Sequence, residues 1–178
     1  MVVTAPIFVV MGVSGVGKTS VGQLLARRLR VEFIEGDDFH PPENIAKMEN
    51  GIPLTDRDRY PWLLALRQKI DTLPSQGKGG VVACSALKEN YREILSGGGT
   101  TITWIFLEGA RSLLQQRLKR RQGHFMTAEL LDSQLATLEP PQTAMVENVE
   151  KPVEEIVASI LCKCQMGNFF SQNTSAWD

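Results

Sequence analysis

Short apolar, β-branched runs alternate along the chain with longer stretches whose apolar side chains recur every three or four residues. Residues 7–11 read Ile-Phe-Val-Val-Met without a polar break, the pattern of a strand covered on both faces of a parallel sheet. Weaker runs of the same kind lie at 32–35, 80–84, 102–107 and 144–149. Helical spacing follows in between: Val21, Leu24, Leu25 and Leu29 after Lys18; Leu63, Leu66 and Ile70 after Pro61. It returns with Leu113, Leu114 and Leu118 after Ala110, and with Ile156, Ile160 and Leu161 after Pro152. This order predicts an α/β fold: a parallel five-stranded sheet, right-handed crossovers and helices on both faces. Segments 41–62 and 121–141 are richer in Pro, Gly and charge and read as insertions over the carboxyl edge of the sheet, where open α/β folds bind ligands. No repeat or linker interrupts the pattern, so residues 1–165 are expected to form one domain and 166–178 a polar tail.

Composition narrows the classes. At 178 residues, 43% hydrophobic and 22% charged, the chain is neither low-complexity, collagen-like nor a disulfide scaffold. A formal charge of −1 gives no broad electrostatic grip on nucleic acid. Cys84, Cys162 and Cys164 lack metal-ligand spacing and read as free thiols of a reducing compartment. No apolar run approaches the ~20 residues that span a bilayer, and residues 7–13 lack the basic flank of a secretory leader. A cytoplasmic protein with no membrane partner is expected.

The chemistry starts at Gly12-Val13-Ser14-Gly15-Val16-Gly17-Lys18-Thr19, a full G-x-x-x-x-G-K-[ST] phosphate loop between a buried strand and an amphipathic helix. The glycines let backbone N–H groups curl inward around phosphate oxygens, and the helix N-terminus adds partial positive charge. Lys18 offers a mobile cation to the β and γ phosphates, and the Thr19 hydroxyl offers an oxygen to Mg²⁺. Gly12, Ser14, Gly15, Val16, Gly17, Lys18, Thr19 and Ser20 are therefore the nucleotide-binding candidates, with Thr19 the assigned metal ligand. Neither an N-K-x-D base motif nor a D-x-x-G switch is present, which argues against a GTPase.

After the second strand candidate, Glu35, Asp37 and Asp38 crowd a bend beside that loop. A carboxylate there can orient and deprotonate an acceptor hydroxyl or hold a water on Mg²⁺; the plainer reading is a solvated turn that caps the next helix. Arg59 offers a planar fork for a carboxylate, or pairs with Asp56 or Asp58. Lys88 could neutralise phosphate charge or lie on a helix surface. Arg117, Arg120 and Arg121, ahead of a glycine, suit a lid that brings charge onto the γ-phosphate; Lys119 and Arg120 also fit a solvated basic face.

Four further blocks then resemble the gluconokinases: Asp37-Asp38-Phe39-His40-Pro41-Pro42-Glu43-Asn44-Ile45-Ala46-Lys47-Met48; Gly51-Ile52-Pro53-Leu54-Thr55-Asp56-Arg57-Asp58-Arg59-Tyr60-Pro61-Trp62-Leu63; Cys84-Ser85-Ala86-Leu87-Lys88-Glu89-Asn90-Tyr91-Arg92; and Gly123-His124-Phe125-Met126. With the phosphate loop they cover roughly residues 5 to 163. The resemblance implies a P-loop NTPase-type three-layer fold with a lid over about 121–141 and a substrate-binding insertion. It implies transfer of the ATP γ-phosphate to the 6-hydroxyl of D-gluconate, with ATP and Mg²⁺ required, in a homodimer. It further implies Lys18, Asp37 and Arg121 as catalytic, with Asp37 as the base. Arg117 and Arg121 would serve the nucleotide, and Asp37, His40, Arg59, Ser85, Arg92 and His124 the gluconate. By analogy with related kinases, adenine is expected between the 117–121 helix and the 149–152 loop. A related small-acid kinase, such as one for shikimate, and a nucleotide-binding regulator without turnover are the alternatives. The strand ends show no Walker-B Asp, and residues beyond Gln165 match nothing in the family pattern.

Overall fold

A computed structural model describes the backbone of residues 6–120 and 128–173, with side chains for 6–120 and 130–165. Five strands, β1 (Ile7–Met11), β2 (Glu32–Glu35), β3 (Gly80–Ala83), β4 (Ile102–Glu108) and β5 (Met145–Asn148), form one sheet in the order β2-β3-β1-β4-β5. Every neighbouring pair is parallel. The helices are α1 (Lys18–Leu29), α2 (Pro42–Glu49), α3 (Asp56–Ser75), α4 (Glu89–Ser96), α5 (Arg111–Lys119), α6 (Ala128–Thr137) and α7 (Val153–Asn173). A 3-10 turn, Gly36–Phe39, follows β2.

Two close approaches show how the layers sit. A Cβ on Gly22 of α1 would lie 2.7 Å from the Phe33 ring and 3.6 Å from Val81, so α1 presses on the Val81 face of the sheet. A Cβ on Gly80 would lie 2.6 Å from Leu73 of α3, and successive strand residues point to opposite faces, so α3 covers the other side. Helix α7 packs beside α1, and α4 beside α3. The core runs through both layers: Val9, Val10, Leu66, Ile70, Val82, Ile105 and Ile160 are fully buried.

Because β1 lies between β3 and β4 while its crossover runs to β2, helices leave the adjacent strands β1 and β3 toward opposite faces. That leaves a crevice at their carboxyl ends, the place for a ligand in an open α/β sheet. Gly12 N–H donates to Ser85 O at 3.3 Å and ties the two strand ends together. Gly12 also needs its lack of a side chain: its φ is 141°, and a Cβ would stand 2.7 Å from Leu107 O.

Three details depart from the sequence reading. Segment 41–62 is largely helical, holding α2 and the first turn of α3. Helix α3 starts at Asp56 rather than near Pro61, because Thr55 and Asp58 form a reciprocal capping box: Thr55 N–H donates to the Asp58 carboxylate at 2.9 Å, and Asp58 N–H donates to Thr55 Oγ1 at 3.2 Å. The boundary expected after Gln165 falls inside α7, which continues to Asn173; no proline stands in that stretch to stop it.

Candidate active site

The phosphate loop closes over the N-terminus of α1, with Gly17 as its N-cap at φ 101°. Lys18 Nζ donates to Val13 O at 3.1 Å, which folds the lysine back along the loop. Thr19 Oγ1 donates to Glu35 Oε2 at 2.7 Å, so the hydroxyl singled out for a metal already stands against a carboxylate of β2. Burial pushes the Glu35 carboxyl above its ordinary pKa; the Thr19 bond opposes this, and neighbouring Asp37 and Asp38 add to it. Ser20 is exposed on the first turn of α1.

One cleft gathers residues from opposite ends of the chain: Ser14 and Lys18 of the phosphate loop, Asp37 and His40 of the 3-10 bend, Arg59 of α3 and Ser85 after β3. Leu130, Ser133 and Gln134 of α6 cover it. The Asp37 side chain is 57% exposed, open to whatever fills the cleft. His40 is buried and stacks on Trp62, ring centroids 4.1 Å apart and 17° between planes. Its Nδ1 faces Asn44 Nδ2 at 3.2 Å, and that same amide donates to Asp58 O at 2.8 Å. An amide NH₂ can only donate, so Nδ1 is the acceptor and the neutral ring carries its proton on Nε2, 3.9 Å from Asp37 Oδ1. Burial lowers the His40 pKa from 6.5 to about 4; Asp37 opposes the shift and Arg59 reinforces it.

Arg59 is 9% exposed and lies over the Tyr91 ring, 5.7 Å from its centroid. Among the described residues its guanidinium has no carboxylate partner, and Nε reaches only Leu54 O at 3.4 Å. The acids beside it are engaged elsewhere. Asp58 holds Lys47 at 2.7 Å and caps α3, which lowers its pKa to about 2. Asp56 accepts from Lys88 at 2.8 and 2.9 Å and from the Tyr91 hydroxyl, and both bonds keep its pKa below the usual carboxylate range. The intramolecular pair considered for Arg59 is absent among the described residues, and Lys88 is held in an ion pair.

Arg92 is not brought to the cleft. Its guanidinium donates to Ala86 O at 2.9 Å, Leu87 O at 3.3 Å and Glu89 Oε2 at 2.5 Å, stapling the turn between β3 and α4. That turn includes Ala86 at φ 42°, a conformation costly for a residue with a Cβ. In this chain Arg92 thus holds the shape of the Ser85 loop. Arg117 likewise bonds protein carbonyls, Val16 O at 3.4 Å and Val149 O at 2.6 Å. It lines, with Arg120, Gly17, Ser20, Val149 and Lys151, a second cleft between α5 and the turn after β5. Arg121 and His124 lie outside the described residues, as does the part of the expected lid at 121–127.

Sequence reading missed Trp62, Asn44, Tyr91 and Gln134. Thr55-x-x-Asp58 was a legible signal for the helix that aims Arg59 and Trp62. No local pattern marks Gln134, whose Oε1 accepts from Ser14 N–H at 2.8 Å across 120 positions.

A phosphate loop at a sheet switch point, an acidic bend beside it and a covering helix define a small-molecule kinase of the phosphate-loop class. Residues 14–164 match the family model described as "Shikimate kinase", the wider group. The chain is 41% identical over 158 residues to the thermosensitive gluconokinase of Escherichia coli, covering 89% of this chain and 84% of that one. It is 52% identical over 133 residues to a gluconokinase of Gluconobacter oxydans, 75% of each. The crystal structure of a gluconokinase from Sinorhizobium meliloti superposes with a TM-score of 0.82 at 43% identity, covering 94% of this chain and 98% of that one. The chain belongs to the gluconokinase family, within that wider group of kinases.

Proposed function

We propose that the protein transfers the γ-phosphate of ATP to the 6-hydroxyl of D-gluconate, giving 6-phospho-D-gluconate and ADP. The observation that carries this reading is one cleft lined by Lys18, Asp37 and an Arg59 without a carboxylate partner among the described residues. Gluconate is a chain of hydroxyls with a carboxylate at one end and the reacting alcohol at the other. Arg59 suits the carboxylate because its fork binds two oxygens in a buried, low-dielectric setting. His40 offers one Nε2–H donor to a substrate hydroxyl or to Asp37, and the Ser85 loop offers further polar groups. Asp37 takes the proton of the 6-hydroxyl as its oxygen attacks the γ-phosphorus; the bond to the bridging oxygen breaks and ADP leaves. Lys18 stabilises charge on the transferring group, a role shared with Arg121 in the family pattern. Adenosine is assigned to the cleft between α5 and the turn after β5, which lies beside Gly15, Val16 and Gly17. There Arg117 shapes the wall through its two carbonyl bonds.

The donors around Thr19 fit Mg²⁺. They are hard oxygens, and Mg²⁺ takes few protein ligands alongside waters and phosphates. Burial, with Asp37 and Asp38 nearby, raises the Glu35 pKa, and a divalent cation beside it would favour the charged form again. Thr19 would hold it directly, with Glu35 or Asp37 through waters. When bound it neutralises charge on the β and γ phosphate oxygens.

The homodimer and the cytoplasmic setting are proposed on the family pattern and the thiol content; among the described residues no helix is long and apolar enough to cross a membrane. The domain division, a kinase domain over 1–165 with a lid near 121–141, is proposed with its boundary inside α7. ADP release measured with ATP plus gluconate, plus shikimate, or with water alone tests the activity. Turnover dependent on gluconate is expected; turnover with shikimate only, or with neither acid, defeats the assignment.

A further inference from the structure

Among the described residues, contacts besides the one to the phosphate loop also hold helix α6. Asp132 accepts two bonds from Arg111 of α5 at 2.7 Å each, an exposed pair of small value. Leu131 is fully buried in the core. Past its end, Glu139 N–H donates to Leu87 O at 2.8 Å and the Glu139 carboxylate accepts from Glu89 N–H at 2.7 Å. Each of these joins α6 to its surroundings; the Gln134–Ser14 bond joins it to the phosphate loop itself. Gln134 also lines the cleft with Lys18, Asp37 and Arg59.

The residue type fits the place. A carboxamide oxygen satisfies a loop amide while bringing no net charge to a pocket built for phosphate. A carboxylate there would repel the incoming anion, and an apolar side chain would leave the amide without its acceptor. We infer that Gln134 is a positioning residue for phosphoryl transfer: its bond to Ser14 N–H seats α6 over the cleft, so that the acceptor hydroxyl stays in line and water stays out. The acceptor half of this inference rests on the gluconate reading; the bond does not. With α6 unseated, a water oxygen attacks the γ-phosphorus in place of the sugar acid. The bond to the bridging oxygen breaks, ADP and inorganic phosphate leave, and the water proton passes to Asp37 or to solvent.

The full-length chain carrying Gln134→Met keeps side-chain length and loses the acceptor; Gln134→Glu keeps the acceptor and adds charge. Amide exchange at Ser14, read by NMR without ligands, should quicken about tenfold in the Met variant and stay near wild type in the Glu variant, since one hydrogen bond to a neutral group is at stake. With ATP and gluconate, the ratio of free phosphate to phosphorylated product should rise about tenfold in Gln134→Met, along with the gluconate KM, while the ATP KM stays within about twofold. Gln134→Glu should restore the ratio but raise the ATP KM. Unchanged Ser14 exchange and an unchanged ratio in Gln134→Met overturn the inference. So does a lowered melting temperature with kcat reduced and the ratio intact, which marks a role in folding alone. If the wild type does not phosphorylate gluconate, the substrate reading fails separately, and Ser14 exchange together with hydrolysis of ATP by water still decides the case of Gln134.

Discussion

His40 shows how far one side chain's surroundings set its chemistry. Stacked on Trp62, bonded through Nδ1 and near Arg59, the ring is neutral in the folded protein at pH values where a free histidine is half charged. A group whose folded pKa lies below its unfolded one binds protons more readily when unfolded. Stability from this site is therefore present above 6.5 and is lost as pH falls through 6.5 toward about 4. The thermal midpoint should drop more between pH 7 and pH 4.5 in wild type than in His40→Asn; equal drops would remove His40 as the source. Asp58 acts in another window: its depressed pKa gives stability present above 3.8 and lost only as pH nears 2. Two neighbours are the ones proposed for the reaction itself. Asp37→Asn should lower kcat on the order of 10²–10⁴-fold, the range for a general base, with a smaller change in KM. A change in gluconate KM alone would make Asp37 a binding group. Arg59→Lys keeps the charge but loses the fork, so the gluconate KM should rise about 10–100-fold, as losing a charged hydrogen bond of ~1.5–3 kcal/mol implies; steady-state kinetics with gluconate varied reads it.

At the scale of elements, the first turn of α3 does more than begin a helix. Thr55 and Asp58 close its N-terminus, and within two turns the same helix delivers Arg59 to the cleft and Trp62 beneath His40. Thr55→Ala should cost about 1 kcal/mol, the usual value of an N-cap, and loosen Arg59 with it. Chemical denaturation gives the first and gluconate KM the second. The 3-10 bend is as tightly constrained: a Cβ on Gly36 would lie 2.4 Å from Ala83 O, and Trp62 Nε1 donates to Gly36 O at 2.7 Å. Strands β1, β3 and β4 were legible because each is a short apolar run, β2 and β5 more faintly because charged residues share them, and the phosphate loop because its glycines and lysine stand close together in the chain. Arg92 misled because sequence gives a guanidinium's position in a block but not its direction, and here nearby carbonyls and Glu89 take its donors. Contacts over long separations, such as Gln134 with Ser14 or His40 with Trp62, have no periodic signature and needed the folded chain.

For the molecule as a whole, the sheet order sets the phosphate loop and the proposed acceptor residues on one base. The phosphate loop follows β1, the acidic bend follows β2 and the Ser85 loop follows β3, three neighbours in a parallel sheet whose core side chains are fully buried. The rest of the cleft lining comes from outside the sheet, from α2, the start of α3 and α6. Trp62 turns this layout into something an optical experiment can use. It is the indole packed beneath the bend that lines the cleft, with its ring nitrogen fixed and an imidazole on its face. A protonated imidazole quenches indole emission, and displacement of the bend changes the polarity the excited state meets. With Trp104 and Trp177 replaced by phenylalanine, the remaining fluorescence should dim on acidification as His40 charges and shift when a sugar acid docks. The protein carries its own lamp beneath the proposed acceptor site, and binding there can be followed without a coupled enzyme or a label.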